Sequence, residues 1–166
     1  MSVFWITGLP GSGKSTLGFY LKKSLSDLGI PSIVIDGDQI REAFGDLFGY
    51  QENDRIQLSK IYVNLARVFE SQGLHVIVCT VSLFDEVFFY LADKIPRARV
   101  IFIDAEPALL RQRDQKKLYS LGEKNIPGVS LLVAYPKNPF MILRGDETHE
   151  ELQTILNRLA EIIENE

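Results

Sequence analysis

The chain has 166 residues, 18 Lys+Arg against 22 Asp+Glu, a formal net charge of -4 and 46% hydrophobic residues. Those figures predict one ordered domain with a substantial core, and they argue against a disordered chain and against a general nucleic-acid binder, which favours a basic face. The single cysteine, Cys79, excludes an internal disulfide, no apolar run of about 18 residues is present to span a bilayer, and no leader-like segment precedes the first apolar run, so a cytoplasmic protein without membrane or nucleic-acid partners is expected.

Apolar runs of strand length alternate with longer helical patterns, which predicts a βαβ organisation. Residues 3–7 read as a first strand and 14–28 as a helix with Leu17, Leu21, Leu25 and Leu28 near helical spacing. A short strand at 31–35 ends at Asp36-Gly37-Asp38, and a long helix is predicted over 54–71. Residues 74–81 are β-branched and apolar, as in a central strand covered on both faces. A helix at 84–94, a strand at 99–104, a helix at 107–113 and a last strand at 140–143 follow. Thr148 and Glu151 have capping-box spacing before a final helix carrying Leu152, Ile155, Leu156, Leu159 and Ile162. Residues 115–137 lack a period and hold Lys116, Lys117, Gly122, Lys124, Pro127, Gly128 and Pro136. A loop of that length in a compact domain is commonly functional, so it is a candidate mobile lid.

Gly8-Leu9-Pro10-Gly11-Ser12-Gly13-Lys14-Ser15 fits G-x-x-x-x-G-K-[ST] between a strand and a helix. Glycines at 8, 11 and 13 let backbone N–H groups, with that of Ser12, turn inward on a polyphosphate, and the helix N-terminus adds positive charge. Lys14 reaches the β/γ-phosphates and the Ser15 hydroxyl ligates Mg²⁺. The alternative, a glycine turn with a solvated lysine, does not account for the flanking strand and helix. The predicted fold is therefore a P-loop NTPase, a three-layer αβα sandwich on a mostly parallel sheet, with 1–166 forming one kinase domain. A guanine-reading Asn-Lys-x-Asp is absent from the sequence, and Asp46-Leu47-Phe48-Gly49 matches D-x-x-G with no strand before it. A small nucleotide or metabolite kinase using ATP and Mg²⁺ fits best.

Asp36 and Asp38 fall at the carboxyl end of the second strand, where open α/β sheets bind ligands. An aspartate there orders metal-bound water or takes the proton of an acceptor hydroxyl. An Asx-turn or helix cap explains one of the two but not both. Arg41 lies about one helical turn on and suits an anionic substrate group.

These residues, with Thr16, Ile35-Asp36-Gly37-Asp38-Gln39-Ile40-Arg41, Gly49-Tyr50, Asp54-Arg55, Val81-Ser82 and Arg113-Asp114-Gln115-Lys116-Lys117-Leu118-Tyr119, resemble the adenylylsulfate kinases nearly end to end. That family moves the γ-phosphate of ATP to the 3′-hydroxyl of adenosine 5′-phosphosulfate. The resemblance implies Asp38 as base or metal organiser, and Ser15 with Asp36 at Mg²⁺, partly through water. It implies Arg41 and Arg55 on the substrate's phosphate-bearing end, Tyr50 as a stacking ring, and Ser82 in the substrate pocket. Arg113 would pack on the ATP adenine, Lys116 would reach phosphates from the lid, and the protein would be a homodimer.

Several substrate-side positions depart from the family pattern. Asp-Arg-x-Glu-Asn reads Asp54-Arg55-Ile56-Gln57-Leu58, so a substrate-bonding amide is a leucine. The Ile-Ser-Pro stretch and its basic residues read Val81-Ser82-Leu83-Phe84-Asp85-Glu86, with acids in place of cations. Phe-Thr-Gly reads Ile126-Pro127-Gly128, so one ring of the base sandwich is gone, and the Asp-x-x-Tyr-Glu that follows is replaced by Ser130-Leu131-Leu132-Val133-Ala134. The donor half is kept and the acceptor half rebuilt, which keeps a second reading open: a 3′-hydroxyl kinase for a cytidine diphosphate derivative, such as the cytidine diphosphoramidate of surface polysaccharide modification. A third is a nucleotide-binding regulator without catalysis. His75 and His149 show no ligand spacing, Cys79 reads as a small buried hydrophobe, and Phe88-Phe89 reads as core or subunit contact.

Overall fold

The computed structural model describes residues 1–113 and 127–165. Strands Val3–Gly8 (β1), Ser32–Asp36 (β2), His75–Thr80 (β3), Arg99–Ile103 (β4) and Met141–Leu143 (β5) build the sheet. They form one five-stranded sheet in the order β2-β3-β1-β4-β5. Every pairing in it is parallel. Helices Lys14–Asp27 (α1), Gly37–Phe44 (α2), Glu52–Ser71 (α3), Asp85–Lys94 (α4), Pro107–Gln112 (α5) and His149–Glu164 (α6) connect or follow the strands. The mostly parallel three-layer sandwich read from the sequence is present, and the structure makes every sheet pairing parallel.

Both faces of the sheet are covered, which is why its strands read as unbroken apolar runs. Phe4 and Ile6 of β1 face α1 and α6 with Leu17, Leu21, Leu159 and Ile163. Val3 and Trp5 point the other way, onto Tyr62 and Val63 of α3 and Val87 and Leu91 of α4. Leu28, placed on the helical stripe by its spacing, is the cap residue beyond α1 and is 52% exposed. Phe88 is half-buried while Phe89 is 67% exposed. No described helix is long and apolar enough to cross a membrane.

Helix α1 packs tightly on β3 at Gly18, where an added Cβ would run into Cys79 Sγ and lie 3.4 Å from Ile77 Cγ2. A Gly18→Ala change gains about 0.5–1 kcal/mol of helix propensity, but overpacking typically costs about 1–3 kcal/mol and should win here. Urea denaturation should show net destabilisation, and in a Cys79→Ala background, where the sulfur is gone, the same change should become stabilising. Cys79 itself is buried, and burial pushes its thiol up to about 12, as expected for a packing residue and not a nucleophile. His75 is also buried, with its Nδ1 accepting from the Ser2 N–H at 3.1 Å.

Parallel pairing puts the carboxyl ends of β1, β2 and β3 along one edge. There β1 runs into the glycine loop, β2 ends at Asp36, and β3 ends at Thr80 just before Ser82.

Candidate active site

The loop after β1 reaches α1 through Gly13, whose φ of 102° lies in the left-handed region that favours glycine. Gly8 stands behind the loop and off the cleft wall: a Cβ there would lie 2.6 Å from the Ile103 carbonyl oxygen. From the first turn of α1, Lys14 sends its Nζ back across the loop to the Leu9 carbonyl oxygen at 2.8 Å and to Ser12 Oγ at 3.4 Å. Arg113, the cap residue of α5, brings Nη1 to 3.8 Å from where a Cβ would stand on Gly13. The N-terminus of α1, Lys14 and Arg113 thus make the loop strongly attractive to an anion.

Asp36 joins this loop to the next helix. Its Oδ1 accepts from the backbone N–H groups of Asp38 at 3.0 Å and Gln39 at 3.3 Å, capping α2. Its Oδ2 accepts the Ser15 hydroxyl at 2.5 Å. Because the one Ser15 hydrogen is used there, the lone pairs of its oxygen remain for a cation. The capping explanation therefore holds for Asp36, which also holds Ser15, and it leaves Asp38 as the second carboxylate. Asp38 is exposed in the first turn of α2. A hydroxyl and a carboxylate make a small, hard donor set, which suits Mg²⁺ because that ion takes few protein ligands and fills its octahedron with water and phosphate oxygens.

The opposite wall is cationic and aromatic. The Arg41 guanidinium donates to the carbonyls of Phe48 at 3.0 Å and Gly49 at 2.8 Å and lies 4.6 Å from the Tyr50 ring centroid. Arg55, from the first turns of α3, donates Nε–H to the Tyr50 carbonyl at 3.0 Å and lies 5.5 Å from the same ring. Burial, and then the like charge of Arg41, hold the Arg55 pKa below its usual value. Two guanidiniums set against one aromatic ring favour an anionic ligand with a flat ring.

Loop, aspartates and arginines surround one cleft of about 800 Å³. Gly11, Ser12, Gly13, Lys14, Ser15 and Thr16 line its donor end with Arg113. Asp36, Asp38, Arg41, Tyr50, Arg55 and Ser82 line the rest. Lys116 and Ile126 lie outside the described residues, as does the lid segment through residue 126. Its remaining part packs on the body: Ala134 N–H donates to the Leu83 carbonyl at 2.9 Å, and a Cβ on Gly128 would meet Leu9 Cδ2 at 2.6 Å. The acids at 85 and 86 do not line the cleft. Both sit in the first turn of α4, where they complement the helix dipole, and Glu86 pairs with Lys60 at 2.5 Å.

Among the lining residues that escape the sequence reading are Ser59, Tyr62 and Thr80. Ser59 and Tyr62 follow Arg55 at i+4 and i+7 on one face of α3, and that spacing was the available signal. Tyr62 donates its phenol to the Gly37 carbonyl at 3.1 Å, and burial pushes its pKa up, so it stays neutral.

This architecture has close counterparts. The profile of the adenylylsulphate kinase family matches residues 1–144. A cytidine diphosphoramidate kinase of Campylobacter jejuni is 32% identical over 164 residues, covering 95% of this chain and 96% of that one. An adenylyl-sulfate kinase of Bacteroides thetaiotaomicron is 28% identical over 167 residues, covering 97% of this chain and 82% of that one. The structure of the Mycobacterium tuberculosis APS kinase CysC in complex with AMPPNP and APS superposes with a TM-score of 0.87 at 26% identity, covering 95% of this chain and 96% of that one. With the family motifs set around one cleft, the chain belongs to the adenylylsulphate kinase family.

Proposed function

We propose that the protein transfers the γ-phosphate of ATP to the 3′-hydroxyl of a small nucleotide, as adenylylsulfate kinases do. The observation that carries this reading is that Asp36 ties the phosphate loop to the helix bearing Asp38 and Arg41. Donor and acceptor elements therefore meet in one cleft.

In this reading the loop N–H groups and Lys14 bind the polyphosphate, with Lys14 exchanging its Leu9 carbonyl for phosphate oxygens. Arg113 stacks on the adenine. Ser15 and Asp36 hold Mg²⁺, which when bound neutralises charge on the transferring phosphoryl group. Arg41 and Arg55 grip the anionic end of the acceptor, Tyr50 stacks on its base, and Ser82 lines its pocket. Asp38, exposed in the first turn of α2, takes the proton of the attacking hydroxyl. Residues 115–137, with Lys116, close over the phosphates and exclude water that would otherwise hydrolyse ATP.

A second acceptor, cytidine diphosphoramidate, is favoured by one specific feature. Leu58, where the family has a substrate-bonding amide, is buried and lines the cleft. The Campylobacter jejuni relative, matched over nearly its full length, is a kinase for that compound. An acceptor screen with ATP and Mg²⁺ separates the readings. Saturable, acceptor-dependent ADP release is expected with adenylylsulfate or with cytidine diphosphoramidate, and the product should carry a 3′-phosphate. ATP binding without acceptor-dependent ADP release from any nucleotide would refute the kinase reading and point to a regulator.

A further inference from the structure

Four hydroxyls line the cleft near Gly37, and each has its hydrogen committed to the protein. Ser59 Oγ lies 2.7 Å from the Arg55 carbonyl oxygen, which only accepts, so the single Ser59 hydrogen goes there. The 2.5 Å contact between Ser59 Oγ and Ser82 Oγ therefore has Ser82 as donor. By the same count, the 2.7 Å contact between Thr80 Oγ1 and Ser82 Oγ has Thr80 as donor. The result is a directed row: Thr80 to Ser82, Ser82 to Ser59, Ser59 to backbone. Tyr62 stands beside it with its phenol hydrogen on the Gly37 carbonyl.

Such a wall offers a ligand lone pairs and no hydrogens. Thr80 is the head of the row, and among the described residues its Oγ1 accepts from no side chain. Gly37 keeps that oxygen within reach, because a Cβ at this position would stand only 3.3 Å from it. Thr80 and Ser82 are 6% and 4% exposed, so solvent does little to satisfy a spare acceptor there. A nearly dry acceptor that meets no donor on binding loses its hydration without return. The guanidiniums of Arg41 and Arg55, which line the same cleft, have the opposite character, since they only donate. The cleft therefore sorts the groups of a ligand by polarity, drawing an anionic group to the guanidiniums and a hydrogen-bond donor to the hydroxyl row.

We infer that Thr80 and Ser82 are specificity-determining residues that select an acceptor nucleotide carrying an N–H donor, either an amino group on its base or an amide on its phosphate chain. The inference rests on reading this cleft as the acceptor site. A nucleotide presenting a carbonyl or phosphate oxygen at the same point sets lone pair against lone pair, and a site built to bond an N–H discriminates strongly against such an analogue.

The test measures kcat/KM with ATP-Mg²⁺, and calorimetric Kd, for three pairs of acceptors. Cytidine against uridine 5′-diphosphate and adenylylsulfate against its inosine analogue vary the base amine. Cytidine diphosphoramidate against cytidine 5′-diphosphate varies the chain amide. In at least one pair the N–H-bearing member should be favoured about tenfold or more, the scale of one lost hydrogen bond with its partner left unpaired. Thr80→Val and Ser82→Ala should each shrink that ratio several-fold, and the pair affected identifies the donor. Ratios near one for all three pairs in the natural protein, or a preference that neither substitution changes, would overturn the inference and leave the kinase reading standing. If none of the six compounds binds or is phosphorylated, the acceptor-site reading fails and this inference falls with it.

Discussion

Asp38→Asn is expected to lower kcat by about 10²–10⁴, the usual contribution of a positioned general base. The amide keeps the size and nearly the shape of the carboxylate, but it does not take a proton at neutral pH. Its local structural cost is small, since Asp38 is exposed in the first turn of α2 and the cap is supplied by Asp36. Part of that cost is the favourable dipole interaction, typically about 0.3–1 kcal/mol. The ATP Kd should therefore stay near its natural value while single-turnover transfer collapses. A variant with unchanged kcat at saturating acceptor would refute the assigned role.

Lys14→Met comes next in size. The thioether preserves the length and apolar stem of the lysine but removes the charge facing the transferring phosphoryl group. Loss of one preorganised donor of this kind costs about 10²–10³ in kcat. Unlike the Asp38 change, this one should also weaken ATP binding, because in the proposed mechanism the same ammonium holds the ground-state phosphates. Lys14 is nearly buried, and its Nζ is bonded to the Leu9 carbonyl. The substitution therefore also leaves that carbonyl without its lysine, so the melting temperature of the nucleotide-free variant should be recorded beside its kinetics. Equal ATP affinity and equal kcat in the two proteins would remove Lys14 from the mechanism.

The donor half of the site was legible because its chemistry is local. Eight consecutive residues carry the phosphate loop, and the strand and helix around it follow from an apolar run and a leucine stripe. The acceptor half was harder because its parts meet only in three dimensions. Arg41 and Arg55 reach Tyr50 through backbone carbonyls of a connecting segment whose conformation has no periodic signal. Helix α2 has only eight residues and starts with glycine, and its apolar stripe is the single pair Ile40 and Phe44, half-buried against the core, which is too short a run to mark a helix by spacing. Ser59 and Tyr62 sit among Ile56, Leu58 and Val63 on a helix that reads as core. Their role beside the cleft depends on Thr80 and Ser82 arriving from β3 and its exit, more than 15 residues away in the chain. The acids at 85 and 86 show the converse: their place in the sequence suggests a weakened anion grip, and the fold turns them to a helix end and a lysine.

The Asp36 carboxylate also acts as a measuring device. One of its oxygens is fixed to a hydroxyl of the phosphate loop and the other to the first amides of α2. The phosphate loop and the start of α2 are therefore held together by a single carboxylate and its three hydrogen bonds, which in the proposed mechanism gauge the gap between donor and acceptor. A gap gauged by so short and stiff a part tolerates little variation in the acceptor. In-line transfer gains most when the reacting atoms are held about 3–3.5 Å apart. A nucleotide whose hydroxyl stands one carbon further along the sugar should occupy the same bed and still miss the phosphorus.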